Sequence, residues 1–194
     1  MLGFVFAASK RQIRPEQAAA ISREVSGIAK VGVFVDAGLE QVKQIAALCR
    51  LDYVQLHGQE SPEYCRRLGL PVIKAFRFTA GCTEALINAY EAEFALLDSF
   101  SPEQSGGTGK VFDWPQAQAL CRGINLPLLA AGGLNAGNVA GAVSILQPAG
   151  VDVSGGVETN GVKDVDKIHQ FIQAVRAVRR GNQDVKLDCS QETL

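Results

Sequence analysis

The stretch Phe94–Gly109, FALLDSFSPEQSGGTG, decides the fold of this chain of 194 residues. The apolar run Phe94–Leu97 has the composition of a buried strand, and it ends at a single carboxylate, Asp98. A glycine-rich loop that contains Gly107 follows at once. Parallel α/β barrels place acids and phosphate-binding loops at the carboxyl ends of their strands. The stretch therefore favours a parallel α/β fold with a site for a phosphorylated small molecule.

Apolar runs of the same kind recur on both sides of this stretch, and each precedes a stretch with helical spacing. Six more strands are predicted in this way: Leu2–Phe6, Val31–Val35, Tyr53–Leu56, Val72–Phe76, Leu126–Ala131 and Val151–Ser154. Continuous apolar runs are typical of parallel strands that are covered on both faces. Helices are predicted to begin near Pro15 and Pro62 and to cover Asn135–Leu146 and Asp164–Arg180.

Seven β–α units fit either a barrel or an open doubly wound sheet. A dinucleotide-binding sheet is disfavoured because no GxGxxG follows the first strand. Residues 1–180 are predicted to form the folded domain, and the polar residues 181–194 are interpreted as an appended tail.

Two further glycine-rich turns end the last two predicted strands. They are Ala131-Gly132-Gly133-Leu134 and Ser154-Gly155-Gly156-Val157. Glycine lets the backbone approach an anion closely, and three such turns on strand ends are a stronger signal than one. The predicted phosphate-binding residues are Gly107, Gly132, Gly133, Ser154, Gly155 and Gly156.

Composition and charge narrow the possible partners. The net charge of −1 argues against nucleic acid or an anionic membrane as the main partner. No apolar run reaches the length of a membrane span. The five cysteines are widely spaced and form no CxxC pair, which favours reduced thiols in a cytoplasmic protein and gives no support to a zinc site.

Specific motifs occur in a fixed order along residues 2–175. They include Gly3-Phe4-Val5-Phe6, Val54-Gln55-Leu56-His57-Gly58, Leu96-Leu97-Asp98, Gly106-Gly107-Thr108-Gly109, Ala131-Gly132-Gly133-Leu134 and Gly156-Val157-Glu158-Thr159. In these motifs the chain resembles the phosphoribosylanthranilate isomerases of tryptophan biosynthesis. The resemblance implies a TIM (β/α)8-type barrel. It also implies the Amadori rearrangement of N-(5′-phosphoribosyl)anthranilate to 1-(2-carboxyphenylamino)-1-deoxyribulose 5-phosphate.

The resemblance also assigns roles to individual residues. Asp98 matches the general acid that opens the sugar ring, and Arg11 matches the arginine that holds the anthranilate carboxylate. Gln55, His57 and Asp152 are expected to line the site. The expected small-molecule partner is a sugar-phosphate substrate, and acid–base isomerisation requires neither a metal nor a nicotinamide cofactor.

One part of the family pattern has no counterpart in the 194 residues. Family members open with a Lys-Ile-Cys-Gly strand, whose cysteine is the general base, and with a first helix; Met1-Leu2-Gly3-Phe4 corresponds to the second strand. The resemblance therefore predicts a barrel without its first β–α unit, with doubtful activity and an open edge at which chains could self-associate.

Alternatives remain open at this point. One is a catalytically inactive protein that binds phosphate ligands or is completed by a partner. Another is the related isomerase of histidine biosynthesis, although no internal repeat supports it. A third places Val185–Cys189 as a permuted first strand, with Asp188 where the family has its cysteine.

Overall fold

The computed structural model describes residues 1–99 and 113–188. Seven strands form one sheet in chain order. Their bounds are Leu2–Val5 (β1), Lys30–Phe34 (β2), Tyr53–Leu56 (β3), Val72–Phe78 (β4), Phe94–Ser99 (β5), Leu128–Ala130 (β6) and Gly150–Val151 (β7). All seven predicted strands are confirmed, with ends that differ by a few residues.

The strand pairs whose register is resolved are parallel. Each of β1–β2, β2–β3, β3–β4 and β6–β7 has a parallel register. Strand β5 continues the ladder on both sides, because Glu93 N–H donates to Val72 O and Ala131 N–H donates to Leu97 O, each at 2.8 Å. The carboxyl ends of parallel neighbours lie at one edge of a sheet, so within each unit the residues that follow neighbouring strands lie at the same edge.

Each strand is followed by a helix: Pro15–Glu24 (α1), Leu39–Cys49 (α2), Pro62–Leu68 (α3), Glu84–Asn88 (α4), Trp114–Cys121 (α5), Val139–Leu146 (α6) and Val165–Asp188 (α7). Proline occupies the first turn of α1 and α3, as predicted. The Ser61 hydroxyl accepts a hydrogen bond from Tyr64 N–H and caps α3. Asp113 caps α5 in the same way through Gln116 N–H.

Two helix boundaries differ from the predicted ones. Helix α6 begins at Val139 instead of Asn135, because residues 135–138 form a turn in which asparagine side chains accept backbone N–H groups. Helix α7 continues past Arg180 to Asp188. The interpretation of Val185–Asp188 as a permuted strand is therefore wrong, and Cys189 lies outside the described residues.

The chain packs as two compact units, which we describe separately. The amino-terminal unit comprises Met1–Phe76, Cys82–Leu96 and Ile124–Pro127, and the carboxy-terminal unit comprises the other described residues. Phe34, Val42 and Leu56 lie in the buried core of the amino-terminal unit. Leu134, Val139 and Phe171 lie in a buried core of the carboxy-terminal unit. Within the described residues, no helix is both long enough and apolar enough to cross a membrane.

Candidate active site

In the carboxy-terminal unit, Asp98 lies next to the first of the glycine-rich turns. Asp98 is the fifth residue of β5, and its side chain is partly buried. A Cβ atom placed on Gly132 would lie only 2.6 Å from Asp98 Oδ1 and would collide with Ser99. Gly132 also has a φ of +84°, a conformation that residues with a Cβ rarely adopt. Glycine at this position therefore lets the backbone pass directly beside the carboxylate.

The turn that contains Gly132, here called the Gly132 turn (Ala131–Asn135), is held by an asparagine that sequence analysis missed. Asn138 Nδ2 donates to Gly133 O at 2.9 Å, and Asn138 Oδ1 accepts Asn135 N–H at 2.8 Å. Gly133 has a φ of +64°. An asparagine just before an apolar helix is a recognisable capping signal, which could have identified this residue.

The second turn, here called the Ser154 turn (Ser154–Glu158), packs against the first. A Cβ atom on Gly156 would collide with Leu134 O. Residues Gly155–Val157 form one 3₁₀ turn, and Val157 is buried in the core beneath it. The close approach at Gly156 requires glycine, so the structure brings the Asp98 strand end and two predicted phosphate-binding turns together within one unit.

A short hairpin, Glu158–Thr159 (β8) and Val162–Lys163 (β9), supports the Ser154 turn. Lys163 Nζ donates to Ser154 O at 2.8 Å and to Glu158 Oε1 at 2.9 Å, and it lies 3.3 Å from Ser154 Oγ. Lys167 Nζ donates to Glu158 O at 2.8 Å. Asp164 immediately precedes α7 and accepts hydrogen bonds from the N–H groups of Asp166 and Lys167.

In the amino-terminal unit, Gln55 and His57 lie on the same side of one strand end. Residues two apart on a strand point to the same face. Gln55 Nε2 and His57 Nδ1 are 3.2 Å apart, and Gln55 is buried whereas His57 is partly exposed. Arg11 lies in the turn after β1, where its N–H donates to Ser9 Oγ at 3.2 Å. Gln55 and His57 therefore contact each other at the end of β3, whereas Arg11 lies after β1.

A buried ion pair in the same unit was missed by sequence analysis. Lys74 Nζ lies 3.2 Å from Glu60 Oε2, and both side chains are only 2% exposed. The ammonium also donates to Leu56 O, Gly58 O and Ala75 O at 2.9–3.1 Å. We call Asp36, Gly58, Glu60 and Lys74 the Lys74–Glu60 cluster.

Glu60 completes this cluster through backbone donors. Its carboxylate accepts Asp36 N–H at 2.9 Å and Gly58 N–H at 3.0 Å. Asp36 in turn occupies the space that a Gly58 side chain would need. The cluster thus links the segments that follow β2 and β3 to a residue within β4. A single lysine within an apolar strand is the sequence signal that could have identified it.

The other predicted site residues and the cysteines are placed as follows. Asp152 is exposed just after β7, where its N–H donates to Ala130 O at 2.9 Å, and Gly107 lies outside the described residues. Burial raises the pKa of the Cys49, Cys65 and Cys82 thiols. A thiol with a raised pKa is a poor proton acceptor near neutral pH. Within residues 1–99 and 113–188, no three His, Cys, Asp or Glu side chains are arranged to hold a metal ion.

Comparison with known proteins identifies the family to which the chain is similar. Residues 1–174 match the family model of N-(5′-phosphoribosyl)anthranilate (PRA) isomerase. The protein named N-(5′-phosphoribosyl)anthranilate isomerase from Desulforudis audaxviator is 49% identical over 178 residues, which are 90% of this chain and 86% of that protein.

Two solved structures extend the comparison to the fold. Phosphoribosyl anthranilate isomerase from Thermotoga maritima matches with a TM-score of 0.80 and 38% identity, over 90% of this chain and 87% of that one. A phosphoribosyl anthranilate isomerase in complex with reduced 1-(o-carboxyphenylamino)-1-deoxyribulose 5-phosphate matches with a TM-score of 0.76 and 35% identity, over 90% and 86%. This chain therefore belongs to the N-(5′-phosphoribosyl)anthranilate isomerase family.

Proposed function

We propose that this isomerase acts on N-(5′-phosphoribosyl)anthranilate with Asp98 as the general acid. One observation carries the assignment: in the carboxy-terminal unit, the Asp98 carboxylate lies beside Gly132, in the first of two glycine turns that pack on each other. An acid placed next to an anion-binding turn suits a substrate whose reacting sugar carries a phosphate. The proposed partner is this sugar phosphate, in a cytoplasmic pathway of tryptophan biosynthesis.

The proposed reaction moves two protons. Asp98 gives a proton to the furanose ring oxygen as the bond from that oxygen to C1 breaks, which leaves a protonated Schiff base between C1 and the anthranilate nitrogen. A general base then removes the proton from C2, and the electron pair of that bond neutralises the Schiff base. The resulting enol tautomerises to the ketone, so substrate and product are isomers.

The remaining substrate contacts are proposed from the strand ends. Backbone N–H groups of Gly132, Gly133, Gly155 and Gly156, with Ser154 and Gly107, would hold the phosphate. Arg11 would bind the anthranilate carboxylate, since guanidinium groups pair with carboxylates in a planar, two-bond geometry. Gln55, His57 and Asp152 would line the site.

We propose that the general base is none of Cys49, Cys65 and Cys82. The burial that raises the pKa of these thiols supports their exclusion, because they are protonated near neutral pH. The proposal includes a (β/α)8-type barrel over residues 1–180 that is completed by a further β–α unit, with 181–194 as an appendage. Without that unit, the open edge would favour self-association.

The test follows the fluorescence of phosphoribosylanthranilate as it is consumed. We expect turnover by a chain extended at its amino terminus with the family's Lys-Ile-Cys-Gly strand and first helix, and little or none by the 194-residue chain. In the extended chain, Asp98→Asn should lower kcat by a factor of about 10²–10⁴. Asp166→Asn, which removes an exposed carboxylate from α7, is the matched control.

Two results would contradict the proposal. Full turnover by the 194-residue chain would show that a group within it supplies the base. An Asp98→Asn variant with kcat within tenfold of the parent would show that another group is the acid.

A further inference from the structure

We infer that Lys163 is a positioning residue that fixes the Ser154–Gly155 peptide so that the Gly155 N–H faces the substrate phosphate. The inference rests on the proposed function, because it concerns the same phosphate-binding turn. It begins with the 2.8 Å hydrogen bond from Lys163 Nζ to Ser154 O. In a trans peptide the carbonyl and the next N–H point in opposite directions. Holding Ser154 O toward the ammonium therefore directs the Gly155 N–H away from it.

The peptide needs such a restraint because of its sequence. Gly155 has no Cβ, so rotation of the Ser154–Gly155 peptide meets little steric resistance. If the peptide rotated, its carbonyl oxygen would face the phosphate in place of an N–H group. One side-chain bond to the carbonyl favours the conformation that binds phosphate.

Charge considerations separate this role from direct binding of phosphate by the lysine. Glu158 Oε1 lies 2.9 Å from Lys163 Nζ, and the Glu158 side chain is only 7% exposed whereas that of Lys163 is 49% exposed. The pair is neutral as a whole, and its positive member is in contact with water. Its net electrostatic attraction for a phosphate is therefore small, and the bond to Ser154 O is the main contribution.

The neighbouring turn uses the same device with a different side chain. Asn138 Nδ2 donates to Gly133 O at 2.9 Å, which directs the following N–H to the opposite side of that peptide. In both turns, a side chain from later in the sequence donates a hydrogen bond to a backbone carbonyl. The carbonyl belongs to the second glycine of the pair in the Gly132 turn and to the residue before the pair in the Ser154 turn. A lysine makes this bond in one turn and an asparagine makes it in the other. Because different residue types make the same kind of bond, we infer that the site requires it.

The test measures affinity for two forms of one ligand. The probes are reduced 1-(o-carboxyphenylamino)-1-deoxyribulose 5-phosphate and its dephosphorylated counterpart, titrated calorimetrically into the extended chain and its variants. Lys163→Met should weaken binding of the phosphorylated probe about tenfold, the usual effect of one hydrogen bond to a charged group, and leave the other probe unchanged. A merely structural role would weaken both probes alike.

Two further variants serve as controls. Lys163→Arg keeps a donor within reach of Ser154 O and should recover most of the affinity. Lys167→Met removes the same charge and a bond to Glu158 O, but it leaves the Ser154–Gly155 peptide untouched. It should bind the phosphorylated probe within twofold of the parent.

The outcomes distinguish this inference from the proposed function. If the parent chain prefers the phosphorylated probe and Lys163→Met keeps that preference, the role of Lys163 is wrong and the phosphate site stands. A loss of the same size in Lys167→Met would likewise overturn it, because net charge would then be the cause. If the parent shows no preference for the phosphorylated probe, the proposed phosphate site itself fails.

Discussion

The Lys74–Glu60 cluster and the Ser154 turn both depend on a lysine that pairs with a glutamate and donates to backbone carbonyls, but they differ in burial. Lys74 and Glu60 are each 2% exposed, whereas in the second pair Glu158 is 7% exposed and Lys163 is 49% exposed. A charge removed from water must keep every partner, because losing one leaves an uncompensated ion in the interior. A half-exposed lysine can exchange its partner for water at little cost. Burial thus decides whether such a pair mainly supports the fold or mainly shapes a site.

The largest expected effect comes from breaking the buried pair. Lys74→Met leaves the Glu60 carboxylate buried without its counter-ion and should lower the free energy of unfolding by about 3–5 kcal/mol. Lys163→Met, the matched change in the half-exposed pair, should lower it by less than Lys74→Met does, because only Glu158 is buried in this pair and Lys163 is in contact with water. Urea unfolding of the two variants and the parent measures both values.

A double variant refines this expectation. Lys74→Met with Glu60→Gln removes both charges and should be less destabilised than Lys74→Met alone, because no unpaired ion remains. It should not regain full stability, since Leu56 O and Gly58 O lose their donor. If Lys74→Met and Lys163→Met lowered the free energy of unfolding by similar amounts, the proposed difference between the two pairs would be wrong.

The next largest effect concerns Gly132. The candidate site in the carboxy-terminal unit depends on close backbone contacts at glycines, whereas the Lys74–Glu60 cluster depends on buried charge. Gly132→Ala combines a strained positive φ with collisions at Ser99 and Asp98, and should lower the free energy of unfolding by about 2–4 kcal/mol. Gly69→Ala is the matched control, because Gly69 has a φ of +66° and open space around it. Its cost should be about 1 kcal/mol. Equal losses in thermal or urea unfolding would show that the contact with Asp98 is unimportant.

The two regions also show what the sequence can predict. The seven strands and the glycine turns were predicted because continuous apolar runs and paired glycines are local signals. The Lys74–Glu60 cluster was not, because Lys74 and Glu60 are 14 residues apart and meet only when neighbouring strands pair. Lys163 lies within a motif that was noticed, but its bond to Ser154 O depends on the geometry of the hairpin. Local patterns therefore located the turns, and tertiary contacts supplied the side chains that hold them.

The smallest expected effect concerns Asp164, which directly follows Lys163 at the end of the hairpin. The hydrogen bond from the Thr159 hydroxyl and those from the N–H groups of Lys167 and Asp166 hold the pKa of Asp164 below its ordinary value of 3.8. The stabilisation that this carboxylate gives is therefore present above that value and is lost as the pH falls through the lower folded-state pKa. Asp164→Asn keeps the shape and capping ability of the side chain but not its charge. Its Tm should be slightly below that of the parent at pH 7, and the difference should vanish in acid once the parent carboxylate is protonated. A difference that is the same at both pH values would mean that the charge of Asp164 does not stabilise the fold.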